Sequence, residues 1–167
     1  MFKRISFVLA LVAGVFLASC DQKQQLQKLA ESTLQQTIDD PSHLKVIGIS
    51  EPDSAFGTAY FTQHEVNGMI ILMNQVSDSI MRRTNNMTEF HPDDLYVIGM
   101  AERQMKATSE IRSLIYNAGK KGSWSGWKVK IDYQSRDRNG IDYRAERWFF
   151  IDKEGNHVIK TFEIPIP

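Results

Sequence analysis

Residues 127–166 carry the most regular alternation of apolar and polar side chains in the chain. Over 127–133 apolar residues occupy every second position and polar residues lie between them, the period-two pattern of a half-buried strand. The apolar set is Trp127, Val129, Ile131 and Tyr133, and the polar set is Lys128, Lys130 and Asp132. The pattern predicts a strand over 127–133.

Two turn sequences divide the rest of this stretch. Residues 136–140, Arg-Asp-Arg-Asn-Gly, and residues 152–156, Asp-Lys-Glu-Gly-Asn, place Gly140 and Gly155 where tight turns need positive φ. Together with the flanking apolar runs they predict a three-stranded antiparallel meander.

The second and third strands of the meander carry large apolar side chains on both sides. We pair Asp152 with Asn156, which sets Phe150 opposite Val158, and we join the first two strands by a turn of two or four residues. One face then collects Trp127, Val129, Ile131, Tyr133, Trp148, Phe150, Val158, Phe162 and Ile164. The opposite face carries Lys128, Lys130, Arg147 and Glu163 beside Phe149, Ile151 and Ile159. This second face is either covered by the first helix or a loop, or is a contact surface.

The chain ahead of the meander predicts three helices and one short strand. Apolar residues at helical spacing indicate a thin amphipathic helix over about 21–38 and longer helices over about 62–83 and 92–118. Residues 68–73 also fit a buried strand, and 44–50 predict a short strand. The fold class is therefore α+β: an antiparallel sheet of about four strands, the C-terminal meander plus one N-terminal strand, with the two longer helices packed on its apolar face.

The first twenty residues have the pattern of an export and anchoring signal. Two basic residues precede an apolar run over 5–17, which is shorter than the ~20 residues of a membrane-spanning helix. The run ends in Leu17-Ala18-Ser19-Cys20, which resembles the lipobox of bacterial lipoproteins, and Cys20 is the only cysteine of the chain. The resemblance covers these residues alone, and the remainder is similar only in style to small lipoproteins of Bacteroidota.

The lipobox resemblance implies cleavage before Cys20, a diacylglycerol on its sulfur and an acyl chain such as palmitate on its new amino group. More than one chain anchors durably, because each buried CH₂ contributes ~0.8 kcal/mol. The implied organisation is a cleaved signal at 1–19, a lipidated cysteine and first helix at 20–40, and one α+β domain at 41–167. The lipid bilayer of the cell envelope is then the first partner, with the periplasmic side favoured over the cell surface.

Charge excludes one class of partner. Lysine plus arginine is 20 and aspartate plus glutamate is 20, and removal of Lys3 and Arg4 with the signal leaves 18 against 20. This balance gives no electrostatic basis for binding nucleic acid. With one cysteine, stability depends on the core rather than on intrachain disulfides.

Candidate catalytic or metal-ligating groups are sparse. The densest cluster sits where the helix over 92–118 needs capping charges, and it comprises Glu89, His91, Asp93 and Asp94. His64 and Glu65 are adjacent on a helix and point to different sides, while His43 and His157 adjoin turns. We expect capping and solvated roles for these residues, no metal site and no cofactor. The sequence contains no nucleophile motif, phosphate-binding loop or dinucleotide fingerprint.

A modest basic patch is a candidate binding surface. It consists of Lys120, Lys121, Lys128 and Lys130 near Trp124 and Trp127. Anionic head groups or glycans would bind there, with Trp124 as a stacking platform. The alternative is a solvated loop followed by a buried Trp127. Separately, Asp53-Ser54-Ala55 resembles the O-glycosylation acceptor pattern of Bacteroidota, and we predict Ser54 to lie in a loop.

The functional hypothesis is a membrane-anchored, non-enzymatic binding or accessory module of the envelope, with an envelope protein or a glycan as partner. One alternative is a small hydrolase or other enzyme whose site lies between helices and sheet. Another is a structural component of an envelope assembly. A polar pocket where Glu89, His91 or His64 converge would favour the enzyme, whereas an apolar groove or a bare apolar sheet face would favour binding.

Overall fold

The computed structural model describes residues 21–116 and 120–167. Within them the elements follow in this order: α1 (21–37), a 3₁₀ turn (Pro41–His43), β1 (Lys45–Ile49), β2 (Asp53–Ala55), α2 (Gln63–Arg83), α3 (Leu95–Tyr116), β3 (Gly126–Arg136), β4 (Asp142–Ile151) and β5 (Val158–Ile166). The predicted signal, the lipobox and the predicted end of α3 at 117–119 lie outside the described residues.

The strands form one antiparallel sheet in the order β1-β3-β4-β5, and β2 also pairs with β3. The α+β class, the C-terminal meander and the N-terminal strand β1 are confirmed. The fifth strand, β2, was not predicted: its three residues pair with the start of β3, with Ser54 opposite Trp127. Ser54 therefore lies in a strand and not in the predicted loop.

The loop between β3 and β4 corrects the predicted faces of the sheet. Arg136 pairs with Asp142, which leaves five residues between the strands instead of two or four. Because side chains alternate, an odd loop length reverses which residues of β4 share a face with those of β3. Val129 therefore pairs with Phe149 and shares its face, and the prediction that it lies beside Phe150 was wrong.

Hydrogen bonds within this loop set its length. The Asp137 carboxylate accepts from the backbone N–H groups of Asn139 and Ile141 at 2.9 Å each, and the Asp137 N–H donates to the Ile141 carbonyl at 2.9 Å. Gly140 supplies the positive φ of 79° that the turn requires.

The β4–β5 hairpin also differs from the predicted register. Ile151 pairs with Val158, and a bulge beside it leaves Phe150 opposite Lys160 rather than Val158. The predicted positive φ at Gly155 is confirmed, at 77°.

Both faces of the sheet are buried under helices. The core on one face is formed by side chains of α1, the residue that follows it and the sheet: Leu26, Ala30, Leu34, Ile38, Val129, Ile131, Tyr133, Tyr143, Ala145, Phe149 and Ile151. The core on the other face is formed by side chains of α2, α3, the segment before α2 and the sheet: Ala55, Phe61, Val66, Met69, Ile111, Leu114, Trp148, Phe150, Phe162 and Ile164. The longer helices thus pack on one face as predicted. The first helix covers the other, although Ile159 stays exposed.

Local sequence explains how the longer helices begin. Thr62 and Glu65 form a capping box at the start of α2, in which each side chain accepts from the other's backbone N–H. The α3 helix starts at Leu95 instead of Pro92, and Asp94 caps it by accepting from the Val97 N–H at 3.2 Å.

No helix in the described ranges is long and apolar enough to span a membrane.

Candidate functional site

A groove of about 550 Å³ lies between the C-terminal end of α1 and the helix α3, above β4 and β5. The α3 helix contributes Arg103 and Lys106, and the β3–β4 loop contributes Arg138. The strands contribute Arg147 from β4 and Glu163 from β5. The groove is therefore lined by strongly charged side chains from elements that are distant in sequence.

Glu163 is the centre of an ionic network in the floor of this groove. Its Oε2 lies 2.5 Å from Nη2 of Arg147 and accepts a hydrogen bond from the Tyr133 hydroxyl. Its Oε1 accepts from Nη1 of Arg103 at 3.2 Å. The Arg147, Glu163 and Arg103 side chains are 14%, 16% and 19% exposed. Both oxygens of one buried carboxylate are thus held by donors.

The sheet register creates this network. Arg147 stands directly opposite Glu163 in the β4–β5 pair, and Ile131 stands opposite Arg147 in the β3–β4 pair. Tyr133, two residues beyond Ile131, lies on the same face and reaches Glu163 diagonally. The third donor, Arg103, comes from α3 and stacks on the Tyr143 ring, with its guanidinium carbon 3.5 Å from the ring centroid.

The protonation states follow from these contacts. Burial by itself would raise the pKa of Glu163, but the charge of Arg147, the Tyr133 hydroxyl and Arg103 together hold this pKa below its usual range. Burial, reinforced by the charge of Glu163, raises the pKa of the Tyr133 hydroxyl far above its usual range. Burial also opposes the charge on Arg147, yet Glu163 outweighs it and raises the pKa of the guanidinium. At neutral pH the carboxylate is ionised and the phenol keeps its proton.

The groove has more cationic than anionic groups. Its lining includes Arg103, Lys106, Arg138 and Arg147 against Asp39, Glu110 and Glu163. One carboxylate, Glu163, serves two guanidinium groups, and Glu110 is bound to Lys160 at 2.7 Å. In the part of the chain that is described, the side chains of Lys106, Arg138 and Asp39 form neither an ion pair nor a hydrogen bond. The lining thus has four cationic against three anionic side chains, and an anionic group in the groove would meet this excess of positive charge.

A second cavity of about 310 Å³ adjoins the first. The two share Asp39, Arg103, Lys106 and Arg138. The second continues along the β3–β4 loop and adds Glu102 and Asp137, so its acidic and cationic side chains are equal in number. The combined space extends from the sheet floor to the loop and accommodates a molecule of metabolite size.

The residues predicted as candidate acids, bases or ligands do not come together. Glu89 accepts from the Asn85 amide at 2.8 Å, and Asp94 pairs with Arg83 at 2.9 Å. His64, His91 and Asp93 are exposed. Among the described residues, no group of three or more histidine, cysteine or acidic side chains could hold a metal ion.

His43 belongs to a surface network that resembles a catalytic triad in composition only. Its Nδ1 lies 2.5 Å from Asp40 Oδ2 and 3.1 Å from Ser42 Oγ. In a serine triad the acid and the hydroxyl bind opposite ring nitrogens, whereas here both are at Nδ1. Arg136 Nη1 lies 3.0 Å from Nε2. Because a guanidinium can only donate, Nε2 is the acceptor of this hydrogen bond. The network fixes the turn before β1 and presents no activated serine.

The predicted basic patch is smaller than its sequence indicates. Lys128 is buried, with Nζ 2.5 Å from Glu65 Oε1, and Lys130 Nζ lies 3.1 Å from Glu146 Oε2. Both side chains project to the face covered by α2 and α3, beside Phe150 and Trp148. Lys120, Lys121 and Trp124 remain exposed. Trp127 is partly buried.

Sequence reasoning missed the groove. It placed Arg147 and Glu163 on one face, which it expected either to be covered by the first helix or a loop or to be a contact surface. It singled out none of Arg103, Lys106 and Arg138. Two opposite charges amid apolar neighbours on adjacent strands were the available signal, since a charge among buried residues needs a partner. Comparison of the chain with protein-family models, with curated proteins and with solved structures gives no match.

Proposed function

We propose that the protein is a lipid-anchored lipoprotein of the bacterial cell envelope whose domain binds a small anionic molecule in the groove above Glu163. The observation that carries the binding proposal is the shared carboxylate: Arg103 and Arg147 both bind Glu163. Lys106 and Arg138 add positive charge at the same cavities. A carboxylate or phosphate group fits this donor set, because guanidinium groups bind such anions through paired N–H donors.

The chemistry of the floor supports binding rather than catalysis. A general base needs a free lone pair and a pKa near the working pH. Glu163 has its pKa lowered and both oxygens engaged, and Tyr133 retains its proton because its pKa is raised. Glu163 instead holds the guanidinium groups of Arg103 and Arg147 in place, and in this proposal the cations of the groove meet the charge of the ligand. With helices over both faces of the sheet, a bare apolar face for a protein partner has no support among the described residues.

The anchor rests on the sequence Leu17-Ala18-Ser19-Cys20 at the end of an apolar run. Its test is replacement of Cys20 by serine followed by fractionation of cells. The native protein should sediment with membranes and should release free fatty acids on alkaline hydrolysis of its glycerol esters. The Cys20→Ser variant should leave the membrane fraction, and its retention there would contradict the lipid anchor.

The groove is tested by calorimetric titration of the purified mature protein with a panel of small di- and tricarboxylates, phosphate and sugar phosphates, and with uncharged analogues. A ligand at 100 times its Kd should also raise the free energy of unfolding by about 2.7 kcal/mol. Lys106→Ala should weaken the binding, whereas Lys28→Ala, an exposed lysine of α1 outside the groove, should not. Binding that is absent for every anion, or equal in both variants, would contradict the proposal.

A further inference from the structure

The first turns of α1 are fixed to one end of the sheet. Leu26, the first buried residue of the helix, packs on the β4–β5 turn, where a Cβ added to Gly155 would lie 3.3 Å from Leu26 Cδ2. One turn earlier, Lys23 pairs with Glu51, which follows β1, at 3.0 Å. The start of α1 is therefore held to the domain by contacts with two separate segments.

The same end of the sheet carries aromatic and lysine side chains that are exposed, except for the partly buried Phe56. We call them the aromatic-lysine surface: Phe56, Tyr116, Lys120, Lys121, Trp124 and Lys153. Each lysine lies over a ring: the Nζ of Lys120, Lys121 and Lys153 are 4.7, 4.0 and 5.4 Å from the centroids of Tyr116, Phe56 and Trp124. Trp124 is 39% exposed and Tyr116 is 79% exposed.

The β4–β5 turn joins this surface to the start of α1. Trp124 packs edge-on against Trp127 with ring centroids 5.8 Å apart, and Trp127 Nε1 donates to the Lys153 carbonyl at 3.3 Å. Lys153 and Gly155 belong to the same turn, so Leu26 and Trp124 both pack around it.

Only a short stretch of chain lies between the proposed lipid-bearing residue, Cys20, and the first buried contact of the domain. In the sequence Cys20 directly precedes residue 21, where the described part of α1 begins. A helix rises 1.5 Å per residue, so the five steps from residue 21 to Leu26, the first buried contact of the domain, span only about 7.5 Å. A domain tethered this closely must present the β4–β5 turn and its neighbours to the membrane surface.

The charges at this end are compatible with anionic head groups. Lys120, Lys121 and Lys153 have no carboxylate partner among the described residues. Of the acidic groups nearby, Glu51 is paired with Lys23, and the Asp152 carboxylate accepts from the backbone N–H groups of Asn156 and His157. The acids left without a partner at this end are Asp21 and Glu154, both exposed.

We propose that the aromatic-lysine surface is a membrane-docking face. In the lipidated protein, Trp124 and Tyr116 lie in the interfacial layer of the bilayer, and the three lysines lie among the lipid phosphates. Tryptophan and tyrosine suit this layer because one part of each ring system is apolar and another is polar, while lysine stems lie along apolar surface with the charge in water. The inference rests on the proposed lipid anchor.

Docking by this surface also orients the groove. The Arg138 side of the groove belongs to the β3–β4 loop, which lies at the opposite end of the antiparallel sheet from the β4–β5 turn. In this orientation the end of the sheet at the β4–β5 turn contacts the bilayer, and the Arg138 side of the ligand groove faces the aqueous phase.

The test uses the lipidated mature protein in vesicles of phosphatidylethanolamine and phosphatidylglycerol, some with acyl chains brominated near the head group. Bromine quenches tryptophan only at short range, and the difference between native protein and Trp124→Phe isolates Trp124 from Trp127 and Trp148. We expect brominated lipid to reduce the Trp124 signal, because a docked Trp124 would lie at the level of the head groups, close to the bromine atoms. Lys153→Glu should weaken this quenching, whereas Lys45→Glu, an exposed lysine at the far end of β1, should not.

Co-sedimentation with the vesicles separates the two proposals. Protein that sediments with vesicles while Trp124 remains unquenched would overturn the docking face and leave the anchor intact. Quenching that is equal in the Lys153→Glu and native proteins would overturn the role of the lysines. Protein that fails to sediment would instead overturn the lipid anchor itself.

Discussion

Arg147 and Glu163 face each other across β4 and β5 with Nη2 and Oε2 2.5 Å apart, and both side chains are largely buried. Arg147 also donates to the Thr37 hydroxyl at the end of α1, at 2.8 Å, while Glu163 accepts from Arg103 of α3. This pair therefore connects the first helix, the sheet and the third helix, and it forms the floor of the proposed ligand groove.

Replacing Glu163 by glutamine should lower the free energy of unfolding by about 3 to 5 kcal/mol, because two buried guanidinium groups then lose their counter-charge. Urea denaturation followed by circular dichroism measures the change. The matched control is Glu110→Gln, which breaks a more exposed ion pair with Lys160 and should cost less than about 1 kcal/mol. Similar losses in the two variants would show that the Glu163 network contributes no more than a surface pair.

The same network should make stability depend on pH in the acid range. The folded-state pKa of Glu163 lies below its ordinary value of 4.5, so the unfolded chain binds this proton more readily than the folded protein does. The stabilisation from Glu163 is fully present above the unfolded-state value and is lost as pH falls through the folded-state pKa. Denaturation of native protein and of Glu163→Gln over this window isolates the effect. The variant should show a shallower acid slope, and parallel curves would contradict the assignment.

Arg138 should affect ligand affinity far more than stability. It is at the rim of both cavities and has no partner among the described residues, so its charge is available to a ligand. Arg138→Glu should weaken binding of the anion found by titration by about tenfold or more, since a repulsive charge replaces an attractive one. Its unfolding free energy should change by no more than about 0.5 kcal/mol. Arg112→Glu, an exposed change on α3 outside the groove, should leave the affinity unchanged.

The sequence predicted the elements better than the faces of the sheet. Alternation over 127–133 identified β3, and Gly140 and Gly155 located the turns, because these signals are local. Whether the β3–β4 loop has an even or an odd number of residues could not be predicted from the sequence. Because β4 is apolar on both sides, either assignment of its faces would bury large residues. The five-residue loop depends on the Asp137 carboxylate bonding two backbone N–H groups, a contact that residue type alone does not specify.

The groove was beyond sequence reasoning for a different reason. Arg103 is 60 residues from Glu163, and their proximity depends on how α3 packs beside β5. Alternation did place Arg147 and Glu163 on one face with Phe149 and Ile151. Covering of this face by the first helix was one of the alternatives, but alternation could not decide between such a cover and a contact surface. The burial of Arg147 and Glu163 as a pair was therefore not predicted.

Gly126, the first residue of β3, should tolerate no side chain. Its φ is +141°, and an added Cβ would overlap the carbonyl oxygen of Ile151 and lie 2.8 Å from the carbonyl carbon of Asp152. Gly126→Ala should therefore destabilise the fold by about 3 kcal/mol or more, since backbone strain and overlap with main-chain atoms add together. Gly68, exposed in the second turn of α2, has no atom within 4 Å of its added Cβ, so Gly68→Ala should instead stabilise by about 0.5 to 1 kcal/mol. Parallel thermal and urea denaturation of both variants measures these opposite signs. A Gly126→Ala protein as stable as the native one would mean that β3 does not begin against the end of β4 as described.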